Sequence, residues 1–219
     1  MALAQKAKQE FGEDSENLHS FNRQIRHWFE EALLNKQVNL ADSGPNFDEE
    51  REPIDTLVIH HTSGQPGYRL TYMNAVQLLN VYANYYASPA NGDKGLRGQP
   101  IWSNHQRDGQ PSFLVYHWLM RMDGTFERLL EDEQIGWQAG NWDINKKSIG
   151  ICLDNDYEEM DPDQVTLEKL AIFIKQNYPQ VKGERIFGHG EVRNGHTICP
   201  GTNWQNGWKP KLLSLLSDS

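Results

Sequence analysis

The chain has 219 residues, which suits one domain with an arm or an insertion, and its seven Trp, eight Tyr and eight Phe residues can fill a sizeable core. Its formal net charge of −9 argues against nucleic-acid binding, because phosphates are bound by clustered Lys and Arg. The same charge argues against a polybasic membrane attachment, and no stretch is long and apolar enough to cross a bilayer.

Residues 1–50 are predicted to form a helical extension that ends in a linker. Apolar residues recur at steps of three and four, which gives one apolar helical face made of Leu18, Phe21, Ile25, Trp28, Phe29 and Ala32. Such a face usually packs on the rest of the protein, and we favour that interpretation over a targeting arm. The segment ADSGPN at residues 41–46 is typical of a helix end followed by a linker.

Residues 51–219 are predicted to form one mixed α/β domain, a central mixed sheet covered by helices, because strand and helix patterns interleave along the chain. The predicted strands and helices are, in chain order, a strand at 55–60, a helix at 71–86, a hairpin of strands at 112–121 and 125–130, a strand at 148–153, a helix at 162–178, a strand at 185–188 and a helix at 211–216. The helix at 162–178 is predicted to start with Asp161 as its N-cap and Pro162 as its first residue.

Residues 87–112 are predicted to form a long irregular insertion, because the segment is rich in Gly, Pro, Asn and charged residues. Loops of this length inside compact domains are usually functional or disordered. Trp102, His105 and Arg107 are its candidates for exposed contacts, and we expect Trp102 to bind substrate. A solvated loop without a role is the alternative.

Three separate segments, one early and two late in the sequence, each carry a side chain of a type that can bind zinc. The apolar runs LVIHHT at 57–62 and IFGHGEV at 186–192 lead to His60 and His189, and TICPG at 197–201 contains Cys199. Two neutral imidazoles and one thiolate make a three-ligand zinc site with a fourth position open for water, which is typical of zinc hydrolases. The other cysteine, Cys152, lies in an apolar stretch.

Two further histidines are rival ligands. His60 and His61 cannot both reach one metal, because adjacent side chains on a strand point to opposite faces. His196 lies three residues before Cys199, and such a pair on a turn can chelate zinc. We favour His189 over His196 because it follows an apolar strand, which holds a ligand rigidly.

These segments, with three more between them, resemble the zinc-dependent N-acetylmuramoyl-L-alanine amidases, the family of phage lysozyme-type amidases and peptidoglycan recognition proteins. The three further segments are YHWLMRMDG at 116–124, WQAG at 137–140 and KSIGI at 147–151. Their order and residue types match the family from about residue 54 to 204. Gln138 stands where the family has His, and the step of ten residues from His189 to Cys199 is eight in many relatives.

The resemblance implies a role for each matching residue. Zinc would be bound by His60, His189 and Cys199, which selects His60 over His61 as the ligand. Tyr116 has the position of the catalytic tyrosine, and Thr197 has the position that supports the oxyanion. His61, Trp137 and Asn141 become candidates for substrate binding, with a core position as the alternative for Trp137.

The implied activity is zinc-dependent hydrolysis of the amide bond between N-acetylmuramic acid and L-alanine in peptidoglycan, a bacteriolytic reaction. One alternative is a cytoplasmic recycling amidase that acts on soluble muropeptides. Another is a non-catalytic peptidoglycan-binding receptor, against which Cys199 argues because such relatives usually lack this cysteine. No signal peptide is visible among the first residues, so we expect synthesis in the cytoplasm and action on the cell wall after release or secretion.

Overall fold

The structure is a computed structural model, and it describes residues 24, 28, 31, 32, 35, 37, 38, 40–63, 66, 67, 78, 99–193 and 197–217. The chain divides into two compact units. The first unit consists of Met1–Pro45 and Thr71–Phe113, and the second consists of Asn46–Leu70 and Leu114–Ser219. The expected division at residue 50 into an extension and a domain stays a prediction.

The strands are, in chain order, β1 (Thr56–His61), β2 (Gln106–Arg107), β3 (Gln110–Pro111), β4 (Trp118–Met120), β5 (Phe126–Arg128), β6 (Ser148–Leu153) and β7 (Ile186–Gly188). The second unit is built on a five-stranded sheet in the order β5-β4-β6-β1-β7. The pairs β4–β6, β6–β1 and β1–β7 are parallel, whereas β4 and β5 form an antiparallel hairpin. The predicted mixed sheet is therefore confirmed.

Among the described residues, the helices of the second unit are α1 (Trp142–Asn145), α2 (Gln164–Asn177), α3 (His189–Val192) and α4 (Lys209–Ser217). Short 3-10 turns at Phe47–Glu50 and Gly183–Arg185 and a π-helical turn at Trp204–Trp208 complete the second unit. Within the described part of the chain, no helix combines the length and the apolar character that a bilayer span requires.

The main core lies between one face of the sheet and the helices α2 and α4. Its buried side chains include Leu57 and Ile59 of β1, Ile149 and Ile151 of β6, Leu167, Leu170, Ala171 and Ile174 of α2, and Trp204, Trp208 and Leu212. The apolar face predicted for α2 is thus the buried one. The strand β1 lies between β6 and β7, and all six of its residues are buried. The central strand therefore offers a rigid frame for any side chain on its other face.

The start of α2 differs from the prediction. Asp163 is the N-cap, and its carboxylate accepts a hydrogen bond of 2.7 Å from the N–H of Thr166, which satisfies one of the free donors of the first turn. Asp161 instead pairs with Lys211 at 3.2 Å. The sequence pattern of an N-cap fits Asp161 and Asp163 equally well. The two differ in the folded protein because Asp161 pairs with Lys211.

The first strand of the predicted hairpin is much shorter than the predicted range 112–121. The strand β4 begins only at Trp118, although Leu114 and Val115 before it are both buried. At His117 the ring nitrogen Nδ1 accepts the N–H of Gly150 at 3.1 Å, in place of a backbone carbonyl. Tyr116 consequently lies just before the sheet and not within it.

In the first unit, part of the segment predicted to be irregular forms the β2–β3 hairpin. Asp108 and Gly109 form its two-residue turn with φ of 52° and 73°, the left-handed conformation that such turns require. His105 is only 4% exposed, so the expectation of an exposed contact at this residue is wrong. The predicted helix at 71–86, apart from Leu78, and residues 87–98 lie outside the described residues.

Candidate metal centre and active site

His60 is delivered by the central strand of the sheet. It follows Val58 on the face of β1 opposite to Leu57 and Ile59, and it is 1% exposed. Its neighbour across the parallel pair with β6 is Cys152. Strands on both sides of β1 therefore fix the backbone that carries this imidazole.

His189 is the first residue of α3 and directly follows β7. Gly188 pairs with Ile59, and the residue that follows each of them is a histidine. The two histidines therefore lie at the same end of the sheet. The rings of His60 and His189 lie 4.7 Å apart, centroid to centroid. Adjacent parallel strands thus bring together two ligands from distant parts of the sequence.

Cys199 is held against the start of α3. Its carbonyl accepts the N–H of Gly190 at 2.8 Å. A Cβ at Gly190 would lie 2.4 Å from the carbonyl oxygen of Thr197, so glycine is needed for this close approach. The Sγ atom of Cys199 lies 3.8 Å from Nδ1 of His60. One ligand atom from each of His60, His189 and Cys199 lies within 4.8 Å of the others.

Burial sets the protonation of all three groups. Burial, and then the nearby His189, hold the pKa of His60 well below its ordinary value. Burial, and then Arg193, lower the pKa of His189 to about 4. Burial raises the pKa of the Cys199 thiol to about 12. At neutral pH both imidazoles are neutral and offer lone pairs, whereas the thiol must lose its proton when it binds a metal.

The donor set fits zinc. The Nε2 atom of His189 is buried and has no hydrogen-bond partner among the described residues, which is unusual for a buried polar atom. Tetrahedral zinc with bonds of about 2.0–2.3 Å separates its ligand atoms by about 3.3–3.6 Å. The 3.8 Å between Cys199 Sγ and His60 Nδ1 needs only a small contraction to reach that range.

Tyr116 and Thr197 border the three ligands. The rings of Tyr116 and His60 lie 4.8 Å apart, and Tyr116 packs against the apolar cluster that contains the buried Cys152. The Oγ1 atom of Thr197 accepts the N–H of Cys199 at 3.2 Å. With that lone pair used, its hydroxyl proton can be donated elsewhere. Both expected catalytic residues are half-buried in this neighbourhood.

The residues expected to bind substrate have different settings. His61 is 7% exposed, and its Nδ1 accepts the N–H of Tyr157 at 2.9 Å. Trp137 is half-buried and packs edge-on against Phe47 and another tryptophan. Asn141 is exposed and caps α1. Their contacts with substrate stay predictions.

Trp102, the remaining candidate for substrate binding, belongs to the first unit. Its Nε1 donates to the carbonyl of Pro45 at 2.9 Å. A Cβ at Gly44 would lie 2.4 Å from the Trp102 ring, so the indole packs directly on that backbone. Its contact with substrate also stays a prediction. His196, the rival ligand, lies outside the described residues.

Sequence reasoning gave no role to two polar residues beside the ligands, the buried Gln138 and the partly buried Glu191. Gln138 hydrogen-bonds the Nε2 atom of His60. Glu191 accepts the N–H of Gly188 at 2.6 Å, immediately before His189. The only sequence signal for Gln138 is that it replaces the family's His, and Glu191 follows the second ligand by two positions.

Residues 50–202 match the N-acetylmuramoyl-L-alanine amidase family, and the chain belongs to that family. Membership defines it as a peptidoglycan amidase or a related peptidoglycan-binding protein. None of the curated proteins compared with the chain matches it significantly.

Several solved structures are similar to the chain. A selenomethionine derivative of AmpD is 19% identical, with 77% of this chain and 86% of that chain covered and a TM-score of 0.47. The endolysin N-acetylmuramoyl-L-alanine amidase LysCS from Clostridium intestinale is 20% identical over 83% of this chain and 94% of that chain, with a TM-score of 0.47. Drosophila peptidoglycan recognition protein SD is 22% identical over 68% and 76%, with a TM-score of 0.41. At TM-scores below 0.5 these likenesses carry no conclusion about activity.

Proposed function

We propose that the protein is a zinc-dependent N-acetylmuramoyl-L-alanine amidase, which hydrolyses the amide bond between N-acetylmuramic acid and L-alanine in peptidoglycan. The observation that carries this proposal is the meeting of His60, His189 and Cys199, whose ligand atoms lie within 4.8 Å of one another. Family membership supports the substrate class.

His60, His189 and Cys199 would hold the metal. A zinc ion bound there supplies Lewis-acid chemistry, because it polarises the scissile carbonyl and makes a water molecule more acidic. The low pKa values of the two histidines keep both imidazoles neutral at neutral pH, so their lone pairs are available without a competing proton. Three protein ligands also leave a coordination position for substrate or water.

Tyr116 and Thr197 would act on the substrate. The phenol of Tyr116, beside His60, can orient the attacking water and give a proton to the leaving amine. The Thr197 hydroxyl accepts from Cys199, so it is free to donate its proton toward the oxyanion that forms at the scissile carbonyl. Loss of one such donor typically costs on the order of 10²-fold in rate.

Digestion of two substrates tests the activity. Purified sacculi and soluble anhydro-muropeptides are incubated separately with the zinc-loaded protein, and the products are identified by mass. We expect free stem peptides that begin with L-alanine, together with glycan chains that have lost them. A Cys199→Ser variant should release neither product.

The same assay separates the alternatives. Release from anhydro-muropeptides alone would identify a recycling amidase. Binding to sacculi without any cleavage would identify a receptor and would refute the proposed activity. Cleavage between sugars would refute the assignment of the bond.

A further inference from the structure

A buried chain of hydrogen bonds runs behind the proposed metal ligand His60. On one side of the ring, Nδ1 faces the Sγ atom of Cys199 at 3.8 Å. On the other side, Nε2 makes a short hydrogen bond with Oε1 of Gln138. The amide Nε2 of Gln138 then donates to Oγ of Ser148 at 2.9 Å. His60, Gln138 and Ser148 are 1%, 5% and 0% exposed.

In this row of hydrogen bonds, each polar atom of the Gln138 amide can act only as a donor or only as an acceptor. A carbonyl oxygen only accepts, so His60 must donate to Gln138 from Nε2–H. A neutral imidazole has one N–H, so Nδ1 then carries the lone pair, and it is the nitrogen that faces Cys199. The amide of Gln138 therefore selects the tautomer of His60 that can bind a metal through Nδ1.

The surrounding backbone fixes the orientation of the amide. A Cβ at Gly150 would lie 2.9 Å from Cγ of Gln138. The side chain of Gln138 therefore crosses β6 at Gly150, the position where the strand has no side chain. The N–H of Ala139 donates to Oδ1 of the buried Asn145 at 2.8 Å, which anchors the residue after Gln138. A buried amide bonded at both ends and supported in this way has one favoured rotamer.

We propose that Gln138 is a positioning residue, which holds His60 as the Nε2–H tautomer with Nδ1 directed at the metal. This inference rests on the proposed function of His60 as a zinc ligand. Ligand histidines commonly donate their second nitrogen to a carboxylate or a carbonyl, and loss of that partner typically costs 10- to 100-fold in metal affinity or activity. A neutral amide fills the position in this protein, and Ser148 holds the amide.

Two measurements on a small set of variants test the inference. Gln138→Leu removes the acceptor at similar volume, and Gln138→Glu keeps an acceptor oxygen. Tyr178→Phe is the matched control, because it removes a hydroxyl that bonds Trp118 and Asp132 in the main core, on the side of β1 opposite to His60. Zinc affinity is measured by competition with a chelator. The tautomer of His60 is read from imidazole ¹⁵N shifts in the metal-free protein.

We expect wild type, Gln138→Glu and Tyr178→Phe to show the Nε2–H tautomer and tight zinc binding. Gln138→Leu should show a tautomer mixture and a zinc affinity about 10- to 100-fold weaker. If Gln138→Leu keeps the single tautomer, or binds zinc within about twofold of wild type, the inference is overturned. A merely structural role would lower stability in Gln138→Leu and Tyr178→Phe alike without changing the His60 shifts.

Ser148→Ala provides a second variant if Gln138→Leu does not fold. It leaves Gln138 in place and frees its amide to rotate, so we expect a tautomer mixture with a smaller loss of zinc affinity. An unchanged tautomer in Ser148→Ala would then overturn the inference. Failure of the wild-type protein to bind zinc would refute the proposed function, whereas the tautomer comparison in the metal-free protein would still decide whether Gln138 orients His60.

Discussion

Replacing Glu191 with Ala removes the acceptor of four hydrogen bonds beside the second proposed ligand. The carboxylate accepts from the N–H of Gly188 at 2.6 Å, from Nε1 of Trp204, and twice from Nζ of Lys209 at 2.8 and 3.1 Å. These bonds tie the end of β7 to the π-helical turn and to the start of α4. Glu191→Ala should therefore destabilise the protein and loosen the backbone that carries His189.

The size of the loss depends on the burial of each donor, because water can replace the lost acceptor only at a donor that it can reach. Gly188 and Trp204 are buried, so each loses a bond to a charged acceptor worth about 1.5–3 kcal/mol. The Lys209 side chain is 17% exposed, so water can rehydrate its ammonium and this loss is smaller. Taking the lower values for the two buried donors and a smaller loss at Lys209, we expect a loss of about 3–5 kcal/mol.

Urea unfolding of the zinc-free protein measures this loss. With a slope of about 2 kcal/mol per M, the midpoint should fall by about 1.5–2.5 M. Glu127→Ala is the matched control, because Glu127 also accepts from a cation, Arg121 at 2.6 Å, but is 40% exposed. Its loss should stay below about 1 kcal/mol. Equal midpoints for the two variants would refute the reasoning.

Four further changes have distinct expected results. Cys199→Ser should lose most of the bound zinc in elemental analysis, because a hydroxyl is a poor zinc ligand, whereas Cys152→Ala should keep it. Tyr116→Phe should keep zinc yet release stem peptide about 10²-fold more slowly, and an unchanged rate would exclude the phenol from the reaction. Hydrogen bonds from the side chain and then the backbone N–H of Thr166 lower the pKa of Asp163. The ionised Asp163 therefore stabilises the fold above about pH 4, and this stabilisation is lost as the pH falls through the folded-state pKa. Asp163→Asn should flatten this acid limb of the stability–pH profile. Leu170→Ala should cost about 2–5 kcal/mol in urea unfolding, because this side chain is fully buried in the main core.

The elements with strong apolar patterns were predictable from the sequence. Strands β1, β6 and β7 are short buried runs, and α2 repeats its apolar residues at helical spacing, so each appears close to its predicted bounds. The hairpin strand was overestimated because the ring of His117 takes the place of a backbone acceptor for Gly150. The strand propensities of the residues do not show that a side chain will replace a backbone group as a hydrogen-bond acceptor between two strands.

The proposed ligands could be named from the sequence, but their support could not. His60, His189 and Cys199 stand in segments that the family resemblance identifies, and the parallel register of β1 with β7 accounts for the meeting of the two histidines. Gln138 lies 78 residues from His60 in sequence, so no local pattern links them. Its role depends on where the segment before α1 crosses β6.

The order of strands in the sheet has a consequence for how the chain folds. His60 and Cys199 are separated by 139 positions, and β1 pairs with two strands, β6 and β7, that lie far along the chain. Such long-range pairings are slow, because a large loop must close before any contact rewards it. If zinc binds at His60, His189 and Cys199, it would therefore find no complete set of ligands early in folding and would not nucleate the sheet. It would act after assembly, as a ligand that binds the finished fold and shifts the folding equilibrium by mass action.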